Sequence, residues 1–147
     1  MPSTTYRATA FVEAARHLGV DRTVASEFPS TFEQAQPSGL LTLPFGDPER
    51  AAEQAAVFAL EHPVGGVIGV DDDTAVLAAA IAGRLGLRGN PAPAALAARD
   101  KHRQRELLAA AGVPVPRYAL YPSDADPETL SRAIAYPCVL KPLRLSA

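Results

Sequence analysis

The chain contains two lysines, a residue type that can bind phosphate. Lys101 lies in the run RDKHRQR at 99–105, and Lys141 ends the apolar run PCVLK at 137–141. A lysine ammonium is a compact point charge suited to phosphate, and ligands gather at strand ends in open α/β sheets. The alternatives are a solvated helix face around Lys101 and a lysine stem lying along apolar surface at Lys141.

Three consecutive aspartates, at 71–73, precede Thr74. Carboxylates suit Mg²⁺, so the run could contribute to a metal site. An aspartate directly before a helix also caps it, and its charge is favourable at the helix N-terminus. We favour this second interpretation, with Asp72 or Asp73 as the capping residue.

The remaining reactive side chains form no recognisable constellation. The single cysteine, Cys138, lies in an apolar run and is predicted to be a small core residue. No glycine fingerprint of the GxGxxG type follows a strand, which argues against a dinucleotide-dependent oxidoreductase. No catalytic or metal-binding residue is predicted within this chain. The histidines are scattered, and the two arginines after Lys101 are predicted to lie on a solvated face: His17, His62, His102, Arg103 and Arg105.

The elements that must position these residues alternate between helix and strand. Helices are predicted over 8–18 and 74–85, each stopped by a glycine, and from Asn90-Pro91 continuously to Gly112. Asp47-Pro48 and Asp126-Pro127 each predict a cap followed by proline at the first helical position. The second helix is predicted to bury a stripe with Val57 beside it: Ala52, Ala56, Ala59 and Leu60.

Strands are predicted over 23–26, 40–45, 65–70, 118–121 and 137–141. The run GGVIGV at 65–70 is apolar without alternation, as expected for a strand covered on both faces. Helices and strands in this order predict an α/β fold with a largely parallel, Rossmann-like sheet.

Composition excludes several classes of partner. The 147 residues are 48% hydrophobic, with a formal net charge of −2, so no basic surface for nucleic acid is indicated. The N-terminus lacks the apolar core of a signal peptide. The longest apolar stretch, 75–82, is far below the ~20 residues that cross a bilayer. We therefore expect a soluble cytoplasmic protein with no membrane partner.

Four short motifs occur in order in the second half: LGLRGNP at 85–91, Asp100-Lys101, AGVPVP at 111–116 and PCVLKP at 137–142. With TYR at 5–7 and GVDD at 69–72, they extend over nearly the whole chain. In this order and spacing the chain resembles the ATP-grasp superfamily, of the carboxylate–amine ligase type. Each motif alone has low specificity, and the ordered set carries the resemblance.

The resemblance implies a Rossmann-like pre-ATP-grasp domain over 1–91 and the start of an ATP-grasp domain over 92–147. It implies ATP and Mg²⁺ as cofactors, and a carboxylate and an amine substrate joined through an acyl-phosphate. Lys101 is then expected to contact phosphate at the edge of the nucleotide cleft, and Lys141 to contact the α-phosphate region. Residues 71–73 are expected on the cleft-facing side of the first domain.

Both ends of the chain are expected to be truncated. No buried strand precedes the first helix, and the sequence stops after the run that ends at Lys141, where the family has a glycine-rich loop and later its metal ligands. The chain alone is therefore expected to be inactive and to bind ATP weakly or not at all. Unpaired strand edges favour aggregation or a homo-oligomer. The alternative function is a non-catalytic Rossmann-like module that binds a small molecule or a partner.

Overall fold

The computed structural model describes residues 8–29 and 39–144. The motif at 5–7 and residues 145–147 lie outside the described residues. The chain divides into two compact units, Met1–Ala95 and Leu96–Ala147. The elements in chain order are α1 (Ala8–His17), β1 (Val24–Ser26), β2 (Leu40–Thr42), α2 (Pro48–Glu61), α3 (Asp72–Arg84), α4 (Ala92–Arg99), α5 (Lys101–Ala110) and α6 (Pro127–Ala133).

The sheet consists of two short parallel strands. β1 pairs with β2 in the register Val24 to Leu40, Ala25 to Leu41 and Ser26 to Thr42. The ladder continues one step beyond β2, where the amide of Leu43 donates to the carbonyl of Ser26 at 2.9 Å. A parallel sheet combined with helices confirms the predicted α/β class.

Three predicted strands are wrong in the structure. Residues 65–70, 118–121 and 137–141 have no strand assignment. Their apolar and β-branched residues favour extended backbone, but a strand also requires hydrogen bonds from a neighbouring strand. Within residues 8–29 and 39–144, only β1 and β2 form such a ladder.

The core of the first unit lies where α2 and α3 pack beside the sheet. Leu43, at the end of β2, is 1% exposed. The buried cluster comprises Leu43, Ala51, Ala52, Ala55, Leu77 and Ile81. Of the predicted stripe of α2, Ala52 is buried, and Ala56 and Ala59 are half-buried. The prediction is wrong at Leu60, which is 83% exposed, and Val57 beside the stripe is also exposed. Alanines on the buried face leave little side-chain bulk between α2 and its neighbours, which permits close packing.

The predicted helix ends are largely confirmed. Asp47 caps α2 and Asp126 caps α6, each followed by proline in the first turn. Helices α1, α3 and α5 end at glycines with φ of 64°, 68° and 75°, which are Gly19, Gly86 and Gly112. At Gly86 the amide donates to the carbonyl of Gly83, and the amide of Leu87 donates to that of Ala82. This paired arrangement is the Schellman motif.

The second unit buries little apolar surface. Among its described residues only Ala97 is buried, and neither α5 nor α6 contains a buried residue. Its exposed large apolar side chains are Leu96, Leu107, Leu108, Val113, Tyr118, Leu120, Tyr136, Val139, Leu140 and Leu143. No helix within the described ranges combines the length and apolar character needed to span a membrane.

Candidate functional site

Asp100 divides the helix that was predicted to run without a break to Gly112. Its backbone is extended, with φ −110° and ψ 108°, and it forms the N-cap of α5. Aspartate competes with helical hydrogen bonding because its side chain accepts from nearby amides. One carboxylate oxygen, Oδ1, accepts from the amides of His102 and Arg103, both at 3.0 Å. The break places Lys101 at the first position of a new helix.

Lys101 contacts the chain segment that directly follows Lys141. Its amide donates to the carbonyl oxygen of Leu143 at 3.1 Å. Its ammonium group, Nζ, lies 3.4 Å from the same oxygen. Lys101 is half-buried and Lys141 is exposed. Lys101 thus contacts Leu143, which is 42 residues away in sequence and two residues after Lys141.

The second oxygen of Asp100 faces Arg144. Asp100 Oδ2 lies 3.6 Å from Arg144 Nε, while Oδ1 serves the helix cap. The amide of Arg103 is the largest cause that lowers the pKa of Asp100 below its usual value. Partial desolvation opposes this effect, and the amide of His102 and the charge of Arg144 reinforce it. The carboxylate therefore remains ionised at neutral pH.

Another face of α5 packs against Tyr118. The imidazole of His102 meets the tyrosine ring edge-on, with centroids 5.6 Å apart and an interplanar angle of 84°. The guanidinium of Arg105 lies 5.5 Å from the centroid of the same ring. Arg103 instead pairs with Glu106 at 3.3 Å. Among these basic side chains of α5, Lys101 contacts the described part of the segment after Lys141, at Leu143.

The acidic run at 71–73 forms a helix cap, as favoured from sequence, but the capping residue is Asp71 and the predicted Asp72 or Asp73 is wrong. Asp71 Oδ1 accepts from the amide of Thr74 at 2.8 Å. Within the described ranges, no three His, Cys, Asp or Glu side chains are grouped so that they could hold a metal ion. The aspartates are therefore explained by the start of α3.

A cavity of about 860 Å³ lies among the described residues of the first unit. It is lined by residues from α1, β1, α2, α3 and the segment 62–70, and most of these are apolar. Neither Lys101 nor Lys141 lines it. Cys138, predicted to be a core residue, is exposed. The apolar run at 137–141 is itself exposed, so Cys138 has no core to enter.

Asp100, Leu143 and Arg144 were not predicted from the sequence to form one arrangement. Asp100 carries a recognisable signal, since aspartate is a preferred capping residue and Arg103 lies at the third helical position after it. The helical periodicity that extends to Gly112 favoured one unbroken helix in spite of that signal. A backbone carbonyl such as that of Leu143 has no residue-type signature, so only the fold reveals its role.

Comparisons with known proteins agree with this architecture. The family described as ATP-grasp N-terminal domain matches residues 12–89, just over half of the chain. The fold is similar to that of an L-amino acid ligase from Bacillus licheniformis, with a TM-score of 0.57 and 22% sequence identity over 82% of this chain. The match spans 37% of that protein's chain. No curated protein matches the sequence.

Proposed function

The chain belongs to the ATP-grasp N-terminal domain family, and from this premise we propose that it forms part of an ATP-dependent carboxylate–amine ligase. In this proposal residues 1–91 are the pre-ATP-grasp domain and residues 92–147 begin the ATP-grasp domain. The similarity of fold to an L-amino acid ligase supports the class and assigns no substrate to this chain.

The proposed reaction has two steps. A carboxylate oxygen of one substrate attacks the γ-phosphorus of ATP, the bond to the bridging oxygen breaks, and ADP leaves. The nitrogen of the amine substrate then attacks the acyl carbon, phosphate leaves with the bonding electrons, and the nitrogen loses a proton to give an amide. Positive groups near the phosphates lower the barrier to the first step, since they stabilise the charge that develops there.

Lys101 and Lys141 are the proposed nucleotide contacts of this chain. The observation that carries the assignment is the pair of contacts from Lys101 to the carbonyl of Leu143, which joins the start of α5 to the segment after Lys141. In the proposed complex the Lys101 ammonium contacts a phosphate oxygen, to which a charge-assisted bond is stronger than its 3.4 Å contact with the Leu143 carbonyl.

The family reaction also uses Mg²⁺, which supplies charge neutralisation at the phosphates when bound. The described residues offer no grouped carboxylates or histidines that fit this ion. Oxygen ligands are what Mg²⁺ requires. We therefore assign no residue of this chain to the metal and no step through it.

We infer that the 147-residue chain by itself has no ligase activity and binds ATP weakly. The matched part covers 37% of the L-amino acid ligase of similar fold, so this chain corresponds to only part of such an enzyme. Calorimetry with Mg-ATP should show no binding in the micromolar range. A micromolar dissociation constant for the chain alone would overturn this inference.

A titration followed by NMR tests the two lysine contacts despite weak binding. The amides of residues 100–103 and 139–144 of ¹⁵N-labelled chain should shift with millimolar ATP. Substituting either lysine, as Lys101→Met or Lys141→Met, should reduce those shifts. Lys→Met retains stem length while removing the charge. Shifts that are absent from both segments, or unchanged by either substitution, would contradict the assignment.

The cavity in the first unit supports the second candidate function, a non-catalytic module for an apolar small molecule. Its volume of about 860 Å³ lies within the range of ligand pockets. If this function is correct, an apolar probe should bind and shift only the NMR amide signals of residues 11–85. ATP should leave that NMR spectrum unchanged. Shifts at residues 100–103 with ATP, and none in the first unit with the probe, would favour the ligase.

A further inference from the structure

We propose that Asp100 is a positioning residue that fixes Lys101 against the segment after Lys141. This inference rests on the proposed function for the role of Lys101, and on the structure alone for the way in which Lys101 is held. Through its two carboxylate oxygens Asp100 binds the start of α5 and Arg144. It acts on Lys101 from both sides, through the helix that Lys101 begins and through the segment that Lys101 meets.

The first side is the start of α5. The first four amides of a helix have no partner within it. In α5 the amide of His102 and that of Arg103 both donate to Asp100 Oδ1, and the amide of Gln104 donates to the Asp100 carbonyl at 2.8 Å. The amide of Lys101 donates to Leu143. All four are satisfied, so the helix start has a defined orientation and contributes its lysine side chain, rather than its amides, to a ligand.

The second side is the segment 143–144. Asp100 Oδ2 pairs with Arg144 at 3.6 Å, next to the residue whose carbonyl accepts from Lys101. Of the two oxygens of the Asp100 carboxylate, Oδ1 therefore binds amides of the helix start and Oδ2 pairs with the segment. Asp100 and Lys101 are neighbours in sequence, and so are their partners Arg144 and Leu143. The start of α5 is therefore attached to the segment at two points.

The proposal predicts an effect opposite in sign to simple electrostatics. Asp100 is an anion close to a lysine that is proposed to bind phosphate. If it acted only through its charge, its removal would strengthen phosphate binding, because like charges repel. If it positions Lys101, its removal weakens phosphate binding. The sign of the change therefore separates the two roles.

The first experiment measures hydrogen exchange in the full chain by NMR, with Asp100→Asn, Arg144→Gln and the double variant. Asparagine caps a helix as well as aspartate does, so the amides of His102 and Arg103 should keep their protection in Asp100→Asn. The Lys101 amide should exchange about two- to fivefold faster in each single variant, the range expected for loss of an exposed ion pair. The double variant should be no faster than either single one, because both remove the same pair.

The matched control is Asp126→Asn. Asp126 caps α6 in the same unit and accepts from two backbone amides, those of Glu128 and Thr129. This control should leave the Lys101 amide unchanged. Unaltered Lys101 exchange in both Asp100→Asn and Arg144→Gln would overturn the proposal, whether or not the chain binds a nucleotide.

The second experiment titrates the same variants with ATP and with inorganic triphosphate at millimolar concentration. Asp100→Asn should weaken the binding of both several-fold, although it removes a negative charge. Binding that is unchanged or tighter in Asp100→Asn would overturn the positioning role. If the wild-type chain binds neither probe, the proposed nucleotide contacts fail, and the exchange experiment alone decides how Asp100 holds Lys101.

Discussion

Thr74 and Asp71 are joined by reciprocal hydrogen bonds that close the turn into α3. The amide and the hydroxyl of Thr74 both donate to Asp71 Oδ1 at 2.8 Å. The hydroxyl oxygen in turn accepts from the amides of Val70 at 3.0 Å and Asp71 at 3.2 Å. Thr74 is 5% exposed, so these amides find a partner in a place that water reaches poorly.

Replacing Thr74 by valine should destabilise the first unit by about 1–3 kcal/mol. Valine has nearly the same shape, but it leaves the buried amide of Val70 without an acceptor, and an unsatisfied buried donor carries a desolvation cost of that order. Thr74→Ser is the control, since it keeps the hydroxyl and loses one methyl group, for about 1 kcal/mol at most. Urea denaturation followed by circular dichroism measures both. A loss for Thr74→Val that is no larger than the loss for Thr74→Ser would contradict the predicted contribution of the hydroxyl.

Gly69 should tolerate no side chain, because the backbone passes too close to α3. A Cβ at this position would lie 2.8 Å from the carbonyl oxygen of Thr74 and 3.0 Å from the Cα of Ala75. Gly69→Ala should therefore lower the free energy of unfolding by about 1–3 kcal/mol, as overpacking typically does. Gly66→Ala is the matched control in the same segment, where a Cβ meets nothing within 4 Å. A Gly69→Ala protein as stable as Gly66→Ala would contradict the close approach.

Two glycines at the end of α3, Gly83 inside the helix and Gly86 just after it, should change stability in opposite directions when replaced by alanine. Gly86 has φ of 68°, a conformation that costs an L-residue roughly 1–2 kcal/mol, so Gly86→Ala should destabilise the protein by about that amount. Gly83 lies inside α3, is exposed, and has open space at its Cβ position. Gly83→Ala should raise stability by about 0.5–1 kcal/mol, since alanine restricts the unfolded chain and favours helix. Thermal unfolding of the two variants side by side tests the difference in sign.

The start of α5 should loosen in acid. The folded pKa of Asp100 is lowered, mainly by the amide of Arg103, so the cap stabilises α5 fully above the unfolded pKa of the carboxyl. That stabilisation is lost as the pH falls through the lowered, folded pKa. Protection of the His102 and Arg103 amides should therefore fall as the pH is lowered past the usual carboxyl pKa of 3.8 and through the lower, folded pKa. Asn in place of Asp100 keeps a neutral cap throughout, so the same pH change should leave those amides unaffected in Asp100→Asn.

Local chemistry explains which parts of the fold were predictable. Asp47-Pro48 and Asp126-Pro127 mark helix starts because cap and proline act within one turn. Gly19, Gly86 and Gly112 mark helix ends for the same reason. These signals involve residues that are neighbours in sequence, so no knowledge of the tertiary structure was needed.

The wrong predictions involve partners that are distant in sequence. The apolar run at 65–70 predicts a strand, but a strand also needs hydrogen bonds from a second segment, which the run itself does not specify. Leu60 reads as buried, but the face of α2 that packs carries Ala51 and Ala55. In the candidate site, the resemblance to the family motifs predicted the two lysines, whereas the carbonyl of Leu143 and the ion pair of Arg144 depend on how the chain returns to α5.

The confinement of the core to one stretch of chain has a consequence for biosynthesis. Among the described residues, the buried cluster and the apolar side chains packed against it all lie between Ala25 and Leu85. A chain made at about 5–20 residues per second folds its N-terminal domain first. The nascent chain can therefore form this core once Leu85 has left the ribosome, before Lys101 has emerged. The order of translation thus separates core formation from assembly of the lysine site.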